Sequence, residues 1–205
     1  MKNLHINNHQ EDFDRVIVLA LNKLSHAFRG LLWAQAKHIG ISPIQIQILI
    51  YIAQHHQKEN RITNIARDFN LTAPTVSDAV KSLEKKKLLK RTVSETDKRK
   101  FLLDLTKSGK LLTESLRNWQ APMLQELTYF TQDTRRIVST FLIKYIDILG
   151  NSNVFGEANT CYSCYYFEDM GNPEVKFKHF CAFRQFPLRD FDLRLDCPNY
   201  ERKYE

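Results

Sequence analysis

The sequence predicts a mainly α-helical protein with one small β-hairpin and a short cysteine-rich tail. Three observations predict it. Apolar residues recur at three- and four-residue steps through most of residues 11–149. Two short β-prone runs, 88–93 and 101–105, flank a polar, charged stretch. All four cysteines fall after residue 160, in an aromatic-rich segment unlike the rest of the chain.

The elements follow in order. Residues 11–39 read as a long helix, with Phe13, Val16, Ile17, Ala20, Leu24, Ala27, Phe28 and Leu31 on one face and Gly40 as its stop. The apolar face is wide enough to require burial on more than one side, and a second copy of the chain would supply it. Ser42-Pro43 opens the next helix, with Ile44, Ile48, Leu49, Ile52 and Ala53 inward. Ile62, Ile65, Ala66 and Phe69 mark a short helix ending near Asn70. Thr72 then caps another, which carries Val76, Ala79, Val80 and Leu83 inward. Two short helices around a tight capped turn form a helix-turn-helix. The hairpin follows, with 94–100 as its projecting loop. A long helical pattern returns after Gly109, from 111 to 148, broken near Pro122 and 131–133. Its buried faces are predicted at Trp119, Leu124, Leu127, Phe130, Ile137, Val138, Phe141, Leu142, Tyr145 and Leu149. Residues 150–153 read as a linker. Residues 1–150 and 151–205 therefore form two predicted units.

Composition narrows the function. The chain has 205 residues, 30 basic and 23 acidic side chains, and a net charge of +7. Residues 61–110 hold thirteen basic and six acidic side chains, an excess equal to the whole net charge. A positive field confined to one segment suits a polyanion, although a solvated Lys-rich face gives the same count. The most apolar run, 44–53, contains Gln45 and Gln47 and is too short for a membrane span. Residues 1–14 lack the apolar region of a secretory signal, so the expected compartment is the cytoplasm. No Gly-rich phosphate loop, nucleophile elbow or HExxH pattern is present, and an enzyme is not expected.

A helix-turn-helix followed by a hairpin is the order of a winged helix, whose second helix enters the major groove of double-stranded DNA. The recognition helix spans about 72–86 and the wing about 88–105. With the apolar stripe inward, Thr72, Ala73, Thr75, Ser77, Asp78, Lys81 and Lys85 face DNA; the lysines neutralise phosphates. Asp78 either accepts from a cytosine amino group or supports a neighbour. Lys98, Arg99 and Lys100 reach along the backbone or into the minor groove from the wing, and Asp97 anchors the loop.

The segments SPIQIQILIYIA, ITNIARDFNLTAPTVSDAVKSLEKKKLLKR and DKRKFLLDLTKSG, between long first and last helices, resemble the MarR family of bacterial transcriptional regulators. The resemblance covers roughly the first 150 residues. It implies a homodimer built from the terminal helices, reading a pseudo-palindromic operator. Asp97 and Arg99 match the family's Asp-x-Arg wing motif. Lys87 stands where the family usually has a small Gly. The resemblance also implies a small-molecule effector, for which His26, Trp33 and Tyr51 are candidates, although aromatics at helical spacing more often belong to a core.

In the tail, Cys161-Tyr-Ser-Cys164 is a CxxC knuckle, and Cys181 and Cys197 complete a set of four thiols. A tail of about 55 residues needs a metal or cross-link to fold. An iron–sulfur cluster, [4Fe–4S], fits one knuckle plus two single cysteines, and Cys197-Pro198 is a pattern some such ligands show. One Zn²⁺ fits the count but lacks a second knuckle, and a cytoplasmic setting disfavours disulfides. His179 is an alternative ligand, more readily read as a satisfied histidine. The functional expectation is a dimeric DNA-binding regulator controlled by a redox- or metal-sensitive four-cysteine site. The alternatives are a regulator with a structural zinc tail and an effector, or a winged helix that binds protein. An electron-transfer enzyme is the reading from a different class.

Overall fold

The computed structural model describes residues 8–55, 60–93, 101–152, 158–171 and 177–203. The elements run α1 (Asn8–Ile39), α2 (Pro43–Gln54), α3 (Ile62–Asp68), α4 (Ala73–Lys85), β1 (Leu89–Val93), β2 (Phe101–Leu105), α5 (Lys107–Ser115), α6 (Ala121–Glu126), α7 (Gln132–Asn151), β3 (Phe167–Asp169), β4 (His179–Cys181) and β5 (Phe186–Leu188). Among the described residues no helix is long and apolar enough to cross a membrane.

Local chemistry explains the boundaries. Gly40 ends α1 with φ 73°, a conformation free to glycine. Ser42 Oγ accepts the Gln45 N–H and Gln45 Oε1 accepts the Ser42 N–H, a reciprocal cap that starts α2. The cap also explains why polar Gln45 is buried. Ala53, expected inward, is exposed, while Ile46 and Tyr51 are buried. Thr72 caps α4, whose Val76, Ala79, Val80 and Leu83 are buried as predicted.

These side chains form one core with Ile48 and Leu49 of α2, Ile65 of α3, Leu103 of β2 and Leu116. The antiparallel hairpin pairs Leu89 with Leu105 and Val93 with Phe101. The Leu103 N–H donates to Asn60 O at 2.7 Å, fixing the hairpin to the start of the helix-turn-helix.

Four expectations need correction. Helix α5 begins at Lys107, capped by Thr106, so Gly109 lies inside its first turn. A Cβ there would lie 1.9 Å from Leu88 O, so this glycine marks a close approach and not a boundary. Second, α7 runs through Gly150 to Asn151, into the predicted linker; a Cβ at Gly150 would meet Ala158 Cβ at 2.9 Å, so the small residue admits the returning chain.

Third, Leu124, Leu127, Phe130, Ile137, Val138 and Phe141 are exposed in the single chain, as are Phe13, Val16 and Leu24 of α1. Among the described residues, no element of the same chain covers them. Fourth, Trp33 is 63% exposed and His26 is also exposed, so of the three candidate aromatics Tyr51 alone joins the core. The breaks near Pro122 and 131–133 are present: α6 opens there, a short 3-10 turn covers Leu127–Tyr129, and Thr131 caps α7.

The tail folds around an antiparallel sheet, β3–β4–β5. Its own small core joins Cys164, Phe167, Leu188 and Leu193 to Ile143 of α7.

Candidate nucleic-acid interface and cysteine site

Helix α4 is seated by its apolar face, capped at its N-terminal end and tied to neighbouring elements at its C-terminal end. At the N-terminal end Thr72 Oγ1 accepts the Thr75 N–H at 3.3 Å, and the two hydroxyls lie 2.8 Å apart. At the other end Lys86 Nζ donates to Gly40 O at 2.5 Å, tying the helix to the turn after α1. Arg91 of β1 pairs with Glu84 at 3.1 Å, fixing hairpin to helix. The sequence reading missed both ties because each joins residues apart in the chain.

Thr72, Ala73, Thr75, Asp78, Lys81 and Lys85 are exposed on one side of α4; Ser77 is half-buried among them. Asp78 accepts from Lys81 Nζ at 3.2 Å, so it supports its neighbour. Lys85 has no carboxylate partner among the described residues. The turn after α4 passes through Lys87 at φ 56°, the position where the resemblance expects glycine. Asp97, Lys98, Arg99 and Lys100 lie outside the described residues.

The tail brings its four cysteines to one place. Cys161, Cys164, Cys181 and Cys197 line a cavity of about 30 Å³ with Phe167, Phe183 and Leu188. Organic ligands occupy about 300–1,000 Å³, so only a compact group fits. The Arg194 N–H donates to Cys161 Sγ at 3.3 Å and the Cys161 N–H donates to Arg194 O at 3.2 Å. Burial pushes the Cys161 thiol above its ordinary value, the Arg194 N–H opposes this, and charge on Cys197, Cys164 and Cys181 raises it further. Negative charge on the neighbouring sulfurs therefore disfavours a Cys161 thiolate, and a cation among them would favour it.

Four thiolates around one cavity are the donor set of iron–sulfur clusters. A single zinc ion needs its sulfurs at about 2.3 Å from one point. Among the described residues no three of His, Cys, Asp and Glu are gathered closely enough to hold a metal ion, and this bears on iron and zinc alike. His179 is no part of the thiol cavity: it is 7% exposed, with Nε2 3.1 Å from Asp190 Oδ1 and Nδ1 3.4 Å from Asp169 Oδ1.

Among the described residues the tail that carries the cysteines meets α7 at several points. Ile143 is buried with Cys164. Thr160 Oγ1, beside Cys161, donates to Asp147 Oδ1 at 2.5 Å. The Arg136 guanidinium lies 4.5 Å from the Phe191 ring, whose surroundings include Arg189 at 4.2 Å.

A larger cavity, about 710 Å³, lies where α2, α3 and α5 meet the tail; Tyr51, Asp68, Phe69, Trp119, Asn159 and Asp196 are among its walls. The Asp196 carboxyl opens to solvent through the cavity, but protein crowds it elsewhere, and this desolvation raises its pKa.

The described geometry has known counterparts. Residues 39–100 match the MarR family. The S. aureus MepR–DNA complex is similar in structure at a TM-score of 0.56 and 27% identity, over 64% of this chain and 96% of that one. A MepR mutant from a multidrug-resistant S. aureus clinical isolate gives 0.54 and 26%, over 65% and 96%. The transcriptional regulator PA3341 shares the fold at a TM-score of 0.58 and 21% identity, over 66% and 98%. No curated protein compared with the chain matches it. The helix-turn-helix, its antiparallel hairpin and the match over residues 39–100 together show a MarR-family domain with a winged helix-turn-helix fold in this part of the chain.

Proposed function

We propose that this chain is a DNA-binding transcriptional regulator that acts as a homodimer on a two-fold operator, with its grip on DNA governed by the four-cysteine site. The observation that carries the DNA reading is α4, capped by Thr72 and tied to its neighbours at the C-terminal end, with Thr72, Thr75, Lys81 and Lys85 exposed along one side. Hydroxyls near a helix N-terminus suit base edges and phosphates, and lysines one turn apart suit a phosphate run. The solved MepR complex with DNA supports the same reading. The dimer reading rests on the bare apolar faces of α1 and α7, which a second copy would cover. Two recognition helices then meet successive major grooves about 34 Å apart.

For the cysteine site we infer a [4Fe–4S] cluster, with one zinc ion as the alternative. Cys161, Cys164, Cys181 and Cys197 would hold it, and when bound it supplies a one-electron change of charge. The protein's part is mechanical. Ile143, Asp147 and Arg136 attach the cysteine module to the helix that carries the proposed dimer face, so loosening the module alters helix spacing. Selection of duplexes from a random pool by the full chain tests the DNA reading: two-fold symmetric sequences are expected, and no enrichment would refute it. Protein purified without oxygen is expected to contain iron and sulfide. A colourless product with one zinc per chain would remove the cluster.

A further inference from the structure

Helix α4 runs out in three consecutive lysines, and the fold gives each a different setting. Lys85 is exposed on the last turn, and Lys87 takes the left-handed backbone at φ 56°. Lys86, between them, is the C-cap of α4; its N–H donates to Ser82 O at 3.1 Å. Its side chain leaves the helix-turn-helix, and Nζ donates to Gly40 O at 2.5 Å.

Gly40 closes α1. The Gly40 and Ile41 N–H groups both donate to Ala36 O, at 2.9 and 3.2 Å, so the turn is tightly folded. Leu32, Ala36 and Ile41 root this end of α1 in the winged-helix core, whereas Phe13, Val16 and Leu24 farther along the helix are bare. One end of α1 therefore belongs to the lobe that carries α4, and the rest carries the apolar face. The last carbonyls of a helix bear partial negative charge, and an ammonium group there is stabilising.

The C-terminal turn of α4 depends on such directional bonds. Leu83 is the last buried residue of the helix. Apolar packing is non-directional and does not by itself fix how a helix is rotated about its axis. Beyond Leu83, the side-chain ties among the described residues are Glu84 with Arg91 of β1 and Lys86 with Gly40. A hydrogen bond has a preferred distance and angle, so these ties set the rotation that packing leaves loose.

We propose that Lys86 is a positioning residue for DNA reading: it sets the recognition helix against the root of α1 and makes no phosphate contact itself. The inference rests on the DNA reading above, and it gives Lys86 a role distinct from that of its neighbour Lys85. A positioning role acts on the specific complex, because base edges accept one register of the helix. A phosphate contact serves every duplex alike.

The test uses the full chain, a duplex it has selected from a random pool, and an unrelated duplex of equal length. In Lys86→Met, affinity for the selected duplex should fall about tenfold, as loss of one charge-assisted hydrogen bond implies. Affinity for the unrelated duplex should stay within about twofold, and the slope of log affinity against log salt should be unchanged for both. Lys86→Arg can still donate to Gly40 O and should recover the selected duplex to within about threefold. Lys87→Asn removes a neighbouring charge, accepts the left-handed backbone and keeps the tie, so its preference between the duplexes should match the wild type. A slope lower by about 0.9, equal losses on both duplexes, wild-type affinity in Lys86→Met, no recovery in Lys86→Arg, or the same loss in Lys87→Asn would overturn the proposal. A wild-type chain that selects no duplex would refute the DNA reading itself, and this proposal with it.

Discussion

Gly109→Ala probes the joint between the hairpin and α5. The added Cβ would lie 1.9 Å from Leu88 O and 3.0 Å from Leu88 C, both backbone atoms that cannot rotate away. An ordinary carbon–oxygen contact is about 3.3 Å, so the first turn of α5 must move by about 1.4 Å. That movement disrupts the Thr106 N–H bond to Leu88 O, now 3.1 Å, and the Thr106 cap on Gly109. The lost hydrogen bond costs about 1 kcal/mol, the weakened cap about 1, and residual overpacking about 1–3. Better helix propensity returns about 0.5–1 kcal/mol. The expected net loss is about 2–4 kcal/mol, read from urea unfolding by circular dichroism at fixed protein concentration. Gly30→Ala is the control: nothing lies within 4 Å of its added Cβ, and a gain of about 0.5–1 kcal/mol is expected. A Gly109→Ala loss no larger than about 0.5 kcal/mol, the usual range of a surface change, would refute the close-approach argument.

Three further predictions concern other joints. Lys87→Gly relieves a side chain held at φ 56°; the left-handed penalty of about 1–2 kcal/mol exceeds glycine's extra unfolded entropy, so stability should rise by about 0.5–1 kcal/mol in the same assay. Ile143→Ala opens the core shared by α7 and the tail; a loss of about 2–4 kcal/mol should appear as faster alkylation of Cys164, with the winged helix melting unchanged. Arg189 holds the Asp192 carboxyl below its ordinary value of 3.8. The pair's contribution is therefore complete above that value and lost as pH falls through the lower folded value. Asp192→Asn should remove this acid dependence from the near-ultraviolet dichroism of the tail tyrosines.

Local chemistry was legible in the sequence wherever neighbours in the chain decide the outcome. The caps at Ser42 and Thr72, the break near 131–133 and the inward stripe of α4 depend on residues one to four positions apart. Contacts between distant residues were not legible. Gly109 looks like a helix boundary until Leu88 O is placed beside it. Lys86 looks like one of three adjacent surface lysines until Gly40 O receives it. The apolar faces of α1 and α7 pass the periodicity test for burial, yet a single chain has nothing among its described residues to lay over them. In the tail, CxxC spacing pointed to a shared thiol site. The pairing of 159–161 with 194–196, and with it the place of Asp196, came from the fold.

The central claim is that α4 meets DNA phosphates with Lys81 and Lys85. The direct test is the salt dependence of affinity for a duplex selected by the full chain, compared with Lys81→Ala, Lys85→Ala and the double variant. Each lost phosphate contact should lower the slope of log affinity against log salt by about 0.9, and the double variant by about 1.8. Binding that keeps the wild-type slope and affinity in the double variant would contradict the account.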